Sequence, residues 1–106
     1  MIDLEPHYLT QIQRILDEHV PGIETRAFGS RVRGSARTYS DLDLALVGYE
    51  RIDRQRIEAL KDAFAESDLP FMVDVLDWNA LSENFRGTIS TTGFEVVRRK
   101  GSGMGE

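Results

Sequence analysis

Apolar residues recur at three- and four-residue steps in two stretches of the chain, which is the spacing of one face of an α-helix. The first stretch, residues 3–20, ends at a Pro-Gly pair that stops a helix. The second stretch is residues 54–67, and its apolar stripe consists of Ile57, Leu60 and Phe64. The periodicity therefore predicts two amphipathic helices.

Four shorter segments are typical of β-strands, namely residues 23–28, 41–47, 71–78 and 94–97. The second of them, "DLDLALV", alternates strictly, so its side chains divide between two faces. Leu42, Leu44 and Leu46 share one face, which we expect to meet the helices. Asp41 and Asp43 then lie on the face that points away from that core.

The order of these elements predicts the fold class. Residues 79–90 form a further helix with Asn79 as its N-cap, and residues 30–40 form a loop that opens with one helical turn. Helices and strands in this order predict an α/β (α+β) fold, a small mixed β-sheet with helices packed on one face. We expect one domain over residues 1–98 and a disordered, glycine-rich tail over residues 99–106.

Composition excludes several classes of function. With 13 basic and 18 acidic residues the net charge is −5, so binding to nucleic acid by charge alone is not expected. The sequence has no cysteine, which removes disulfides and thiol chemistry. No apolar run reaches the length of a membrane span, and the N-terminus lacks a signal-peptide pattern. We expect a cytoplasmic protein of 106 residues without a membrane segment.

Three aspartates interrupt the apolar strands: Asp41, Asp43 and Asp74. Aspartate is a poor strand former, and a buried carboxylate is costly unless it is paired or bound to a metal. If the strand 71–78 lies beside the strand 41–47, the three carboxylates converge. Such oxygen-rich sites suit Mg²⁺, and two such ions can assist phosphoryl-type transfer.

The loop before these aspartates contains groups that bind phosphate. Gly29 allows a tight turn and a close approach of the backbone to a ligand, and Ser30 offers a hydroxyl and a backbone N–H at the start of a helical turn. Guanidinium groups bind phosphate oxygens with two hydrogen bonds, so nearby arginines could neutralise a triphosphate. These arginines are Arg31, Arg33 and Arg37.

A purely structural explanation competes with this one. Asp41 alone could be an acid at the start of a strand, and Asp43 a solvent-facing strand residue; Gly29-Ser30 upstream and Asp74 downstream favour a site instead. Asp77 alternates away from Asp74, so we expect a surface or capping acid. Trp78 could stack on a base or anchor the core or an interface.

The segment "FGSRVRGSARTYSDLDLAL" together with "VDVLDW" resembles the DNA polymerase beta nucleotidyltransferase superfamily, and within it the minimal nucleotidyltransferases (MNT). The resemblance covers roughly residues 8–97. It implies that Gly29, Ser30 and Arg33 bind the nucleotide triphosphate. It also implies catalytic and metal-binding roles for the carboxylates of Asp41, Asp43 and Asp74, with Asp74 orienting or deprotonating the acceptor hydroxyl.

The resemblance further implies a partner. Minimal nucleotidyltransferases act as antitoxins beside a helical HEPN (higher eukaryote and prokaryote nucleotide-binding) toxin, and some transfer AMP from ATP to a tyrosine of that toxin. We therefore expect a Mg²⁺-dependent adenylyltransferase in a hetero-oligomer, whose acceptor comes from another molecule. Two alternatives stay open: an antitoxin that neutralises its toxin by binding alone, and an aminoglycoside-type nucleotidyltransferase that acts on a small molecule with a helical partner subunit.

Overall fold

Helices and strands alternate along residues 4–34 and 40–101, the parts of the chain that the computed structural model describes. The α-helices are α1 (Pro6–His19), α2 (Ser30–Arg33), α3 (Arg54–Ala65) and α4 (Glu83–Thr92). The β-strands are β1 (Glu24–Phe28), β2 (Leu42–Val47), β3 (Val73–Asp77) and β4 (Phe94–Arg98). A single 3₁₀ turn, Trp78–Ala80, follows β3. Each predicted helix and strand is therefore present, with boundaries shifted by a few residues.

The strands form one mixed sheet in the order β3-β2-β1-β4. Strand β1 pairs antiparallel with both β2 and β4, whereas β2 and β3 are parallel. A parallel pair needs a crossover connection, and α3 provides it between β2 and β3. The mixed sheet is confirmed, and β3 is an edge strand beside the aspartate-bearing β2.

The core lies between one face of this sheet and the two long helices α1 and α3. The leucines of β2 are completely buried there, as the alternation predicts. They pack in one cluster with Ile12, Leu16, Leu60 and Phe64. Burial of each such side chain stabilises the fold by about 1.5–3 kcal/mol, which fixes the register of β2 because a one-residue slip would expose all three leucines.

Helix α4 contacts the side of the sheet that carries Asp43. Phe85 of α4 packs edge-on against Phe28, with ring centroids 6.1 Å apart. Phe28 and Asp43 are register partners on β1 and β2, so their side chains share a face. The helices α1 and α3 cover the leucine face, and α4 adds a contact on the aspartate face.

The predicted N-cap of α4 is wrong by three residues. The cap is Ser82, whose hydroxyl accepts a hydrogen bond from the backbone N–H of Phe85 at 3.1 Å. Asn79 instead lies in the 3₁₀ turn, and its side-chain amide donates to the carbonyl of Gly48 at 2.9 Å. That long-range bond holds Asn79 against the end of β2, so the helix can begin only after the chain has turned.

Asp77 is a capping acid, as predicted. One carboxylate oxygen accepts from the backbone N–H of Asn79 at 3.1 Å, and the other accepts from Ile52 N–H at 2.8 Å. Asp77 therefore ties the end of β3 to the segment that precedes α3.

The end of the chain is described only to Gly101. Its backbone N–H donates to the carbonyl of Gly22 at 2.9 Å. Residues 102–106 lie outside the described residues, so the predicted tail stays a prediction. Within the described ranges, none of the helices has the length and apolar character needed to cross a bilayer.

Arg98 joins the two ends of the fold, because it is buried and binds the C-terminal end of α1. Its guanidinium donates to Asp17 at 3.0 Å, to the carbonyl of Ile23 at 2.8 Å and to the carbonyl of Val20. Burial lowers the pKa of Arg98, and the Asp17 carboxylate opposes that shift.

We predict that Arg98→Ala lowers the free energy of unfolding by about 3 kcal/mol, because the hydrogen bonds of a buried guanidinium to two carbonyls and to the partly exposed Asp17 are lost together. Urea denaturation measures this difference. The neighbouring Arg99 is exposed and serves as the matched control. Equal stability losses in Arg98→Ala and Arg99→Ala would contradict the assignment of Arg98 as a structural residue.

Candidate active site

The turn after β1 brings the backbone of Gly29 against the carboxylate of Asp43. Gly29 has a φ of 86°, in the left-handed region that favours glycine. A Cβ atom at this position would lie 2.5 Å from Asp43 Oδ2, which is far inside van der Waals contact. Two residues fourteen positions apart in the sequence are therefore in direct contact, and only glycine fits between them.

The aspartates of the two parallel strands are adjacent. Asp43 of β2 and Asp74 of β3 are register partners, so their side chains stand side by side on the same face. Asp41 immediately precedes β2, and the alternation places it on that face as well. Asp41 and Asp74 are exposed, whereas Asp43 is half-buried beside Gly29. The strand pairing thus sets Asp43 beside Asp74, and Asp41 lies two residues before Asp43.

The donor set of this site consists of carboxylates, which suit the hard cation Mg²⁺. In residues 4–34 and 40–101, however, no three Asp, Glu, His or Cys side chains lie close enough together to hold a metal ion as they stand. Asp43 and Asp74 share a register position, and Asp41 is two residues from Asp43 on the same face. The chemistry of these donors suits a divalent cation, but the side chains of Asp41, Asp43 and Asp74 would have to rotate to form a ligand set.

Ser30 is the first residue of α2, as the predicted helical turn requires. The N–H of Val32 donates to the carbonyl of Gly29 at 3.0 Å. Gly34 ends the turn in the left-handed conformation, with its N–H donating to the carbonyl of Ser30. Ser30 therefore stands next to the Gly29–Asp43 contact. The side chain of Arg33 and the whole of Arg37 lie outside the described residues, so their predicted phosphate contacts stay predictions.

Arg31 has a structural position, which corrects its predicted place among the phosphate-binding arginines. The side chain is buried, and its Nε donates to the carbonyl of Ser40 at 2.9 Å. Its guanidinium also lies 4.3 Å from the centre of the Phe71 ring, a cation–π distance. Arg31 thus fixes the chain just before Asp41 to α2, which positions the aspartates indirectly.

Comparison with known proteins identifies this arrangement. Residues 10–101 match the family model described as "Polymerase beta, Nucleotidyltransferase". The chain belongs to the polymerase beta nucleotidyltransferase family. A curated relative from Haemophilus influenzae, "Probable protein adenylyltransferase MntA", is 48% identical over 99 residues, which make up 93% of this chain and 86% of that protein. The resemblance drawn from the motif is confirmed.

Solved structures confirm the fold. A chain from the "Crystal structure of the toxin-antitoxin with AMP-PNP" superposes with a TM-score of 0.70 at 22% identity, over 87% of this chain and 73% of that one. A chain from the tri-AMPylated Shewanella oneidensis HEPN toxin in complex with MNT antitoxin gives a TM-score of 0.67 at 20% identity, over 92% of this chain and 74% of that one. The sheet and its helices therefore form a polymerase beta-like nucleotidyltransferase core.

In this nucleotidyltransferase, Trp78 has a packing role on the aspartate side of the sheet. The Arg26 guanidinium lies 5.2 Å from the centre of the Trp78 ring and 4.5 Å from that of Phe94. Arg26 also forms an ion pair with Glu24 on the same strand. Of the two roles considered for Trp78, these contacts favour the structural anchor.

Met72 is an exposed residue beside Asp74 that sequence reasoning missed. The Leu42 N–H donates to the Met72 carbonyl at 2.9 Å, at the first register pair of β2 and β3, Leu42 with Val73. The side chain of Met72 alternates with Val73 and so stands on the same face as Asp74. In the sequence "FMVDV", Met72 precedes Asp74 by two positions, which already places both side chains on one face of the strand. That Met72 is exposed to solvent is visible only in the structure.

Proposed function

We propose that this chain transfers AMP from ATP to a tyrosine hydroxyl of a HEPN toxin and thereby acts as its antitoxin. The observation that carries the proposal is the adjacent pair Asp43 and Asp74, with the Gly29 backbone held against Asp43. It is supported by the 48% identity to a protein named as a probable protein adenylyltransferase. The relatives named as toxin–antitoxin complexes support the choice of partner.

The nucleotide lies on the Gly29 side of the site in this proposal. The backbone of Gly29 and the hydroxyl of Ser30 contact the triphosphate, because this turn projects from the end of β1 next to Asp43. Arg33 adds positive charge to the same ligand. A backbone without a Cβ lets the phosphates come close to the carboxylates, which a larger residue at position 29 would prevent.

The carboxylates of Asp41, Asp43 and Asp74 hold Mg²⁺, as two ions, in this proposal. Mg²⁺ held by these residues would supply positive charge against that of the triphosphate. The acceptor oxygen forms a bond to the α-phosphorus while the bond to the bridging oxygen of the β-phosphate breaks, and pyrophosphate leaves. Asp74 lies on the edge strand, at the side open to an acceptor, and it accepts the proton of the attacking hydroxyl.

The proposed complex is a hetero-oligomer of this chain with its toxin. We place this complex in the cytoplasm, where ATP is available as the donor. Neither a membrane nor nucleic acid is needed for the reaction, since donor and acceptor are a nucleotide and a protein side chain.

Intact-mass spectrometry tests the proposal directly. The purified chain is incubated with ATP, Mg²⁺ and a HEPN toxin of the same organism, with Asp43→Asn as the inactive control. We expect the toxin to gain whole adenylyl groups with the native chain and none with the variant. Omission of Mg²⁺ tests the metal requirement in the same assay.

Two other results would redirect the assignment. A tight complex that forms equally well with Asp43→Asn, without any gain of mass, would indicate neutralisation by binding alone. A lack of protein modification together with adenylylation of an aminoglycoside would indicate a small-molecule nucleotidyltransferase. Either outcome would overturn the proposal of a protein adenylyltransferase.

A further inference from the structure

Met72 is a large apolar residue that faces solvent near the carboxylates of Asp41 and Asp74. Its exposed fraction is 74%, although the residues on either side of it in the sequence are buried or half-buried. The Leu42 N–H donates to the Met72 carbonyl, so Met72 directly precedes the first register pair, Leu42 with Val73, and lies two residues before Asp74. An exposed methionine beside charged groups does not stabilise the free protein.

Met72 lines a groove together with residues of α3 and of the segment that leads into β3. The groove has a volume of about 810 Å³ and is lined on one side by Asp41 and Asp74. Its apolar lining residues are Phe64, Ala65, Leu69, Pro70, Phe71, Met72 and Val73. Lys61 and Asp62 of α3 add a charge of each sign at the wall. The groove therefore combines an apolar surface with the carboxylates at its end.

The position of the groove relative to the carboxylates indicates which substrate it takes. Across the sheet, the order is the Gly29 turn after β1, then Asp43 on β2, then Asp74 on the edge strand β3, and the groove is lined by Asp74 and by the segment that leads into β3. If the donor phosphates occupy the Gly29 side, the attacking group must come from the opposite side of the carboxylates. The groove is the surface on that side.

We propose that Met72 is a positioning residue for the acceptor, and that the groove holds the protein segment that carries the acceptor side chain. This inference rests on the proposed function. A thioether is a poor ligand for Mg²⁺ but makes favourable contacts with aromatic rings and adapts to their shape. Met72 beside Asp74 therefore favours an aromatic hydroxyl, that of tyrosine, over the small hydroxyl of serine or a sugar.

Steady-state kinetics with the toxin as the varied substrate test this inference. For Met72→Ala we expect the KM for the toxin to rise about tenfold, the size of effect seen when an apolar anchor is removed from an interface. The dissociation constant for ATP should stay unchanged, because the donor lies on the other side of the carboxylates. Met72→Leu keeps the apolar volume and should retain a KM near that of the native chain.

Tyr49→Ala is the matched control, since Tyr49 is also a large, exposed apolar residue, 87% accessible, but lies beyond the opposite end of β2. A charged replacement of Met72 is unsuitable because it would bind or repel the adjacent carboxylates. If the native chain modifies the toxin and Met72→Ala does so with an unchanged KM, the inference is wrong and the proposed function stands. If the native chain itself transfers no AMP to the toxin, the proposed function fails first.

Discussion

Asp43→Asn is expected to lower the rate of AMP transfer by about 10³-fold or more while leaving the fold intact. Asp43 is the central carboxylate, in contact with the Gly29 turn on one side and next to Asp74 on the other. Loss of its charge removes several kcal/mol of charge stabilisation in the transition state, and each 1.36 kcal/mol corresponds to a factor of ten in rate. Single-turnover transfer to the toxin measures the effect.

The melting temperature of Asp43→Asn separates a lost function from a lost fold. Asparagine has almost the same shape as aspartate, and its neutral side chain removes the repulsion between like charges on neighbouring strands. We expect a melting temperature within a few degrees of that of the native chain, since a change of about 1 kcal/mol corresponds to ~4–8 °C in a domain of this size.

Asp77→Ala is the matched control for Asp43→Asn. Asp77 is also an aspartate of the parallel strand pair, but its carboxylate accepts hydrogen bonds from the backbone N–H groups of Ile52 and Asn79. Its loss should lower stability by about 1–2 kcal/mol, the cost of a lost cap, while transfer continues. The opposite pattern, in which Asp77→Ala is inactive and Asp43→Asn retains full activity, would disprove the proposed site.

Gly29→Ala has the second largest expected effect, a loss of about 10²-fold in transfer rate. The new methyl group would lie 2.5 Å from Asp43 Oδ2, so the carboxylate or the turn must move. A displacement of about 1 Å at reacting groups is enough to cost two orders of magnitude in rate. The left-handed φ adds about 1–2 kcal/mol of destabilisation. Initial rates of toxin modification and urea denaturation measure the two consequences separately.

Gly93→Ala distinguishes the clash from the backbone strain. Gly93 also has a positive φ, 107°, but among residues 4–34 and 40–101 no atom beyond its own chain neighbours lies within 4 Å of the position of its added Cβ. We expect Gly93→Ala to lose stability as Gly29→Ala does, and to keep the transfer rate of the native chain. Equal rates for the two variants would show that the contact between Gly29 and Asp43 has no role in the site.

The sequence by itself determined the main elements and which face of β2 carries the aspartates. Alternation in "DLDLALV" assigned the leucines and the aspartates to opposite faces, because a strand has a period of two residues regardless of its surroundings. The apolar periodicity of α1 and α3 likewise marked the helix faces that form the core. Short-range geometry decides these features, so they can be predicted without a structure.

Local chemistry was not sufficient where two residues could serve the same purpose. Asn79 and Ser82 are both good N-caps, and a bond from Asn79 to the distant Gly48 carbonyl decides for Ser82. Arg31 and Arg33 are equivalent in the sequence of the loop, yet the contact with Phe71, forty residues away, makes Arg31 a structural residue. Long-range contacts of this kind leave no trace in a local pattern.

The tertiary structure alone decided how the site is assembled. The parallel pairing of β2 and β3 sets Asp43 beside Asp74, and the return of β1 along β2 sets Gly29 against Asp43. The same pairing leaves Met72 exposed next to Asp41. A sequence specifies which side chains share a face of one strand, but the neighbour of that strand and its register depend on the packing of the whole core.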